Sequence, residues 1–160
     1  MKFELVPGYD KADILKVLFV EYTDRLVEQD PSFAEYLRVQ NYDEELKDLS
    51  AKYGAPAGRL YLALADGKPR GCVALKKIDR ENCEMKRLYV RREYRKEGLG
   101  EILAKQVIAD AKEAGYKHML LDTLPFLKAA IALYKKLGFY ETEIYNNSPM
   151  DTSIFMKYDL

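Results

Sequence analysis

The sequence predicts a mixed α/β domain, a sheet of parallel and antiparallel strands flanked by helices. Apolar residues recur at helical spacing early in the chain and again over residues 99–114, three strand-like segments follow one another between residues 59 and 90, and a late helix separates one strand from two closing ones. At 160 residues the chain can bury a core without disulfide or metal staples, so one domain spanning residues 1–160 is expected.

Residues 2–6 read as a short strand, ended by Pro7-Gly8. The next helix takes Asp10 or Asp13 as its cap and places Ile14, Leu18, Tyr22 and Leu26 on one face. Asp30-Pro31-Ser32 breaks the chain before a second helical region that reaches about residue 53, with Phe33, Tyr36, Leu37, Leu46 and Leu49 as its apolar positions. Asp43-Glu44-Glu45 suits the positive end of a helix dipole. After a loop at 54–58, strands 59–65 and 69–78 are joined by Asp66-Gly67, where both positions tolerate positive φ, and 83–90 is the third strand.

The helix at 99–114 sets Leu99, Ile102, Leu103, Val107 and Ala111 on one side and ends at Gly115. A buried strand at 117–123, a short helix at 128–137 closed by Gly138, and strands at about 139–145 and 152–158 around Asn146-Asn147-Ser148-Pro149 complete the chain. The order is β-α-α-β-β-β-α-β-α-β-β. Right-handed crossover places the strand from Lys117 parallel to and beside the strand from Cys83.

Lys plus Arg and Asp plus Glu each number 26, so no net field draws the protein to nucleic acid or an anionic membrane. Cys72 and Cys83 lie in apolar strands without metal-ligand spacing, which predicts buried thiols and no metal. No apolar stretch approaches the ~20 residues of a membrane span, and the N-terminus lacks the pattern of a secretory signal. A cytoplasmic monomer or homodimer is the expectation.

The clearest chemical signal is Arg95-Lys96-Glu97-Gly98-Leu99-Gly100, after a strand and at the start of the best helix. Two glycines let the backbone approach a bulky anion, and the helix start offers unpaired N–H groups to a pyrophosphate. Arg91, Arg92, Arg95 and Lys96 add charge for a further phosphate. No Gly-Lys-Ser/Thr follows, so this is not a P-loop, and it is one glycine short of a dinucleotide fingerprint. A glycine-bearing turn with a solvated basic rim is the alternative.

In this loop, with Leu88-Tyr89-Val90 before it, and in Ala130-Ile131-Ala132-Leu133-Tyr134 followed by Gly138-Phe139, the chain resembles the GNAT superfamily of N-acetyltransferases. The motifs resemble that family's R/Q-x-x-G-x-G/A loop and its A-x-x-L-Y-x-x-x-G-F helix, in the family's order, and the resemblance covers roughly residue 58 to the C-terminus. It implies acetyl-CoA as co-substrate. It also implies that the backbone of Leu88, Tyr89 and Val90 pairs with the pantetheine arm. Arg95, Lys96, Glu97, Gly98, Leu99 and Gly100 would cradle the pyrophosphate, and Tyr134 would sit near the thioester sulfur. One departure is Leu127, where many members carry Asn.

Acetyl transfer to an amine by direct attack through a tetrahedral intermediate needs a base, an oxyanion stabiliser and a proton for the leaving thiolate. A backbone N–H near Val90 suits the oxyanion, and Tyr134 suits the sulfur because a phenol of pKa ~10 keeps its proton at neutral pH. Tyr134 also fits a purely apolar face with Ala130, Leu133 and Leu137.

Glu84 is the base candidate: strand period two places it on the side of Leu88 and Val90, a parity that a bulge would reverse. Its alternative is a salt bridge with Lys76 or Lys86. His118 reads as structural. Asp122, a carboxylate in an apolar strand, either holds a substrate ammonium or caps a loop. Tyr22, Glu21, Asn146 and Asn147 are candidates for an acceptor pocket, and the acceptor is a small amine or an amine on a peptide or protein. A non-catalytic acyl-CoA sensor and a transferase for longer acyl groups stay open.

Overall fold

The computed structural model describes residues 2–160. Its elements are β1 (Glu4–Pro7), α1 (Ala12–Gln29), α2 (Phe33–Val39), α3 (Tyr42–Lys47), α4 (Leu49–Tyr53), β2 (Arg59–Ala65), β3 (Lys68–Lys77), β4 (Asn82–Val90), α5 (Leu99–Ala114), β5 (His118–Thr123), α6 (Lys128–Leu137), β6 (Tyr140–Glu141) and β7 (Ile154–Asp159), with a single 3₁₀ turn at Arg92–Tyr94. One seven-stranded sheet runs in the order β1-β2-β3-β4-β5-β7-β6. The β2–β3 hairpin turns at Asp66 and Gly67, at φ 53° and 73°, the geometry for which that dipeptide is suited. The β4–β5 pair is parallel, as the crossover argument requires.

Helices α5 and α6 cover one face of the sheet, where Leu99, Leu103, Val107 and Tyr134 pack on Val73, Leu75, Met85, Met119 and Leu121. Helices α1 and α4 cover the other, where Leu15, Leu18, Phe19 and Tyr53 pack on Leu60, Leu62, Cys72 and Ala74. A third cluster ties Leu26, Phe33 and Tyr36 to Leu124 and Met150. Both cysteines are buried free thiols, and burial pushes that of Cys83 up to about 12. No helix among the described residues is long and apolar enough to cross a membrane.

The structure departs from the sequence expectations in four places. Helix α1 is preceded by Lys11, with no side-chain cap from Asp10 or Asp13. The second helical region is three short helices, because Asn41 adopts a left-handed conformation (φ 61°) and Asp48 an extended one (φ −150°). Ile102 is 43% exposed, since the buried stripe of α5 runs through Leu103, Ala104, Val107 and Ile108 instead. The strand expected at 139–145 shrinks to two residues. Beyond Thr142 the chain leaves the sheet, and Tyr145 stacks edge-on against Phe155, its ring centroid 5.4 Å away.

Candidate active site

Strands β4 and β5 pair only from Asn82 to Glu84 against His118 to Leu120. Beyond that point β5 pairs with β7 alone, and β4 continues to Val90 paired with β3 alone. The strands therefore part like a wedge, and the main chain of β4 from Met85 to Val90 has an edge with no strand beside it among the described residues. An edge of unpaired N–H and C=O groups can be extended by another polar chain. A cavity of about 40 Å³ lies in the wedge, between Met85 and Leu88 of β4, Asp122 of β5 and Tyr134 of α6, with Tyr22, Phe33 and Tyr36 from the other side.

A bulge shapes β4 at this position. The register with β3 slips between Cys72 and Ala74, and Arg87 takes a left-handed conformation at φ 59°. Two consecutive side chains, Lys86 and Arg87, then point to the α1 face, and both donate to Gln40 Oε1, at 2.6 and 3.0 Å. The consequence corrects the period-two reading: Leu88 packs in the α5 core, whereas Glu84, one position from both Cys83 and Met85 of that core, faces α1. Glu84 and Leu88 lie on opposite faces.

At the mouth of the wedge, the chain turns through Arg92–Tyr94 into α5. Lys96 and Gly98 have φ values of 71° and 81°, and a Cβ added at Gly98 would meet only open space. The first amide of α5 to bond back is that of Ile102, to Gly98 C=O at 3.1 Å. The N–H groups of Leu99, Gly100 and Glu101 therefore have no intrahelical partner, as at any helix start. Gly100 faces α6, where an added Cβ would lie 3.5 Å from Leu133 and 3.9 Å from Val90.

Of the nearby cations, Arg92, Arg95 and Lys96 are exposed, and Arg95 Nε donates to Val90 C=O at 3.1 Å. Arg91 is not free for a phosphate. It grips Glu21 with Nε at 3.1 Å and Nη2 at 2.5 Å, and Tyr89 donates to the same carboxylate. Tyr134 is 8% exposed beside Phe139. Burial raises its phenol well above the usual 10, and Tyr22 and Asp122 raise it further. It holds its proton throughout the physiological range, and Leu127 lines the cavity near it.

A family model for the GNAT acetyltransferases matches residues 21–139. The chain belongs to the GNAT acetyltransferase family. An uncharacterised N-acetyltransferase of Schizosaccharomyces pombe is 39% identical over 150 residues, covering 92% of this chain and 88% of that protein. An acetyltransferase structure from Streptococcus agalactiae superposes at TM-score 0.78 with 20% identity, covering 99% of this chain and 98% of the other, and shows the shared fold. A GNAT acetyltransferase from Elizabethkingia anophelis, solved with acetyl-CoA bound, superposes at TM-score 0.57 with 30% identity, over 65% of this chain and 77% of that one.

On the α1 side of the wedge, this GNAT chain gathers polar side chains from distant segments. Asp122 Oδ2 accepts from the Tyr36 hydroxyl and, at 3.1 Å, from Asn146 Nδ2. Glu84 is 4% exposed and accepts from the Tyr145 hydroxyl at 2.6 Å; Lys76 and Lys86 make no ion pair with it. It is absent from the cavity wall, whereas Asp122 and Tyr22 line it. Burial pushes the Tyr22 phenol up to about 12. Asn147 is exposed, and Glu21 is committed to Arg91. His118 is half-buried on the far end of β5, 3.8 Å from Asp159.

The sequence reading missed the network behind the bulge. Arg87 reaches both oxygens of Glu45, at 3.0 and 2.9 Å, and Lys52 reaches Glu45 Oε1 at 2.8 Å. Burial alone would raise the Glu45 carboxyl, but Arg87 and Lys52 outweigh it and bring it down to about 2. One signal was available: Lys86-Arg87 is a charged pair inside an apolar strand, where period two would send one of them into the α5 core. Tyr36, Gln40 and Tyr145 carry no comparable mark.

Proposed function

We propose that the protein transfers acetyl from acetyl-CoA to a small primary amine held in the β4–β5 wedge. The observation that carries this reading is the unpaired β4 edge running from the free N–H groups at the start of α5 to a cavity walled by Tyr134 and Asp122. The backbone of Leu88, Tyr89 and Val90 would pair with the pantetheine arm. Arg95 through Gly100 would hold the pyrophosphate, whose charge suits a helix N-terminus.

Asp122 Oδ1 accepts from the incoming ammonium and takes its proton, directly or through one water. An N–H of the open β4 edge near Val90 stabilises the oxyanion as the amine nitrogen bonds to the acetyl carbon. Tyr134 then donates to the sulfur as the C–S bond breaks. The ammonium loses two protons in all, one ending on the thiol and one in solvent. Glu84 acts at one remove, by fixing Tyr145 against Phe155, the residue opposite Asp122 in β7.

Thiol release from acetyl-CoA by the full chain, measured against a panel of primary amines, tests this. Amine-dependent release is expected. Binding of acetyl-CoA without release from any amine would make the chain an acyl-CoA-binding module, and faster release from butyryl-CoA would make it a transferase of longer acyl groups.

A further inference from the structure

The network behind the β4 bulge holds more positive than negative charge. Arg87, Lys52 and Lys86 cluster around Gln40, and Glu45 is the one carboxylate bonded to any of them among the described residues. Arg87 and Lys52 use both Glu45 oxygens between them. Lys86 is left out: its Nζ gives one hydrogen to Gln40 Oε1 at 2.6 Å, and it makes no ion pair among the described residues, although the residue is only 9% exposed. An ammonium has three donors, and a buried one with no anion in direct contact is unfavourable even though the charges of Glu84 and Asp122 offset part of the cost.

Lys86 lines the cavity of the wedge, and Asp122 lines it too. Asp122 has the complementary vacancy. Its Oδ2 takes both Tyr36 and Asn146, while Oδ1 accepts no hydrogen bond among the described residues. Tyr134, which would stand at the thioester, is close enough to Asp122 to feel its charge. The cavity thus has, among the described residues, a cation with no anion in hydrogen-bond contact and a carboxylate oxygen lacking a donor. Its 40 Å³ is room for roughly three waters. Leu26, Phe33 and Leu124 provide an apolar wall beside it.

Resting on the acetyltransferase reading, we infer that the acceptor is a free amino acid or a close amino-carboxylate, its carboxylate received by Lys86 Nζ and its ammonium by Asp122 Oδ1. The product is the N-acetyl amino acid. Arg87 also lines the cavity, but its charge is paired with Glu45, and it positions Lys86 by sharing the Gln40 oxygen. An acceptor carrying a second ammonium in place of the carboxylate would meet Lys86 with like charge.

The test compares each proteinogenic amino acid with its own α-amide, which keeps the side chain and amine and removes the negative charge. With saturating acetyl-CoA, the best amino acid should exceed its amide in kcat/KM by at least tenfold. Lys86→Gln, which can still bond to Gln40, should lose at least tenfold on the acid and less than threefold on the amide. Lys86→Arg should keep part of the preference. Equal rates on acid and amide in the wild type, or an equal loss on both in Lys86→Gln, would overturn the inference. Thiol release with other amines but with no amino acid would also overturn it. If no acceptor releases thiol, the transferase reading fails instead, and titration of the same pairs into the protein with CoA decides the carboxylate site. At least tenfold tighter binding of the acid, abolished in Lys86→Gln, supports the site, and indifference refutes it.

Discussion

The two sides of the β4–β5 wedge are built from different materials. The α5 side is backbone and apolar surface: an unpaired strand edge, a helix start, two glycines, and Tyr134 packed against Phe139. The α1 side is a set of buried and half-buried charges, hydroxyls and carboxamides contributed by residues 36, 40, 45, 86, 87, 122, 145 and 146, which come from elements far apart in the chain. A backbone site presents the same groups whatever side chains surround it, so it suits a substrate common to a whole family. A side-chain site can be rebuilt residue by residue, so it suits the substrate that differs between members.

The largest effect should come from the acceptor side. Asp122→Asn keeps the bonds from Tyr36 or Asn146 but removes the charge that receives the ammonium, and should lower kcat/KM by roughly 10²- to 10⁴-fold with acetyl-CoA affinity within a few fold. Steady-state kinetics beside an acetyl-CoA titration would check it. A comparable loss of acetyl-CoA binding would mean that the two sides are not separable. Glu84→Gln, by contrast, should cost far less, because that carboxylate acts only through Tyr145.

Tyr134→Phe should lower kcat by roughly ten- to a thousandfold and leave acetyl-CoA affinity nearly unchanged, because only a proton donor is removed from a ring that stays packed. An unchanged kcat would reduce Tyr134 to a core aromatic. On the same side, Gly100→Asp should weaken acetyl-CoA binding by at least tenfold. The new Cβ meets Leu133 at an ordinary 3.5 Å, so the fold should survive and the added carboxylate would oppose the pyrophosphate.

These predictions differ in how far the sequence alone anticipated them. The α5 side was legible because its parts are local: a glycine pair at a helix start and a Tyr–Gly–Phe sequence each occupy one short stretch. That the backbone of Leu88 to Val90 is open to a pantetheine arm followed only through the family resemblance, since no residue pattern marks where the β4–β5 pair stops. Glu84 was placed on the wrong face because period two fails at a bulge, and the bulge rests on the left-handed backbone of Arg87, a non-glycine residue. Lys86 drew notice only as a partner for Glu84, whereas its neighbour is Gln40, 46 residues away. The closing hairpin was overdrawn because Tyr145, suited to a strand by type, is held out of the sheet by Glu84.

The buried charges should also show in stability. Glu45 has its carboxyl lowered from 4.5 to about 2, so its pairing stabilises the fold fully above about pH 4.5, and that contribution is lost as pH falls through 2. Glu45→Gln should remove roughly 3 kcal/mol at pH 7 by leaving Arg87 and Lys52 without a counter-charge, and should flatten the acid limb of the stability profile, followed by urea unfolding. Lys86 has the opposite sign. Burial, opposed by Glu84 and Asp122 and aided by Arg87 and Lys52, lowers its ammonium to about 8. The native state is therefore penalised below pH 8, and stability should rise between about 8 and 10.5. Lys86→Met should raise Tm at pH 7 by roughly 2–4 °C for each kcal/mol relieved, with the gain vanishing at high pH. A fall in Tm would mean that Lys86 is a structural residue.

The most direct measurement is a crystal structure with a non-hydrolysable acetyl-CoA analogue. Pantetheine should be hydrogen-bonded along the β4 edge from Met85 to Val90, with pyrophosphate on the N–H groups that open α5 and the Tyr134 hydroxyl within about 3.5 Å of the thioester position. An analogue seated elsewhere, or one that leaves the wedge between β4 and β5 empty, would contradict this arrangement.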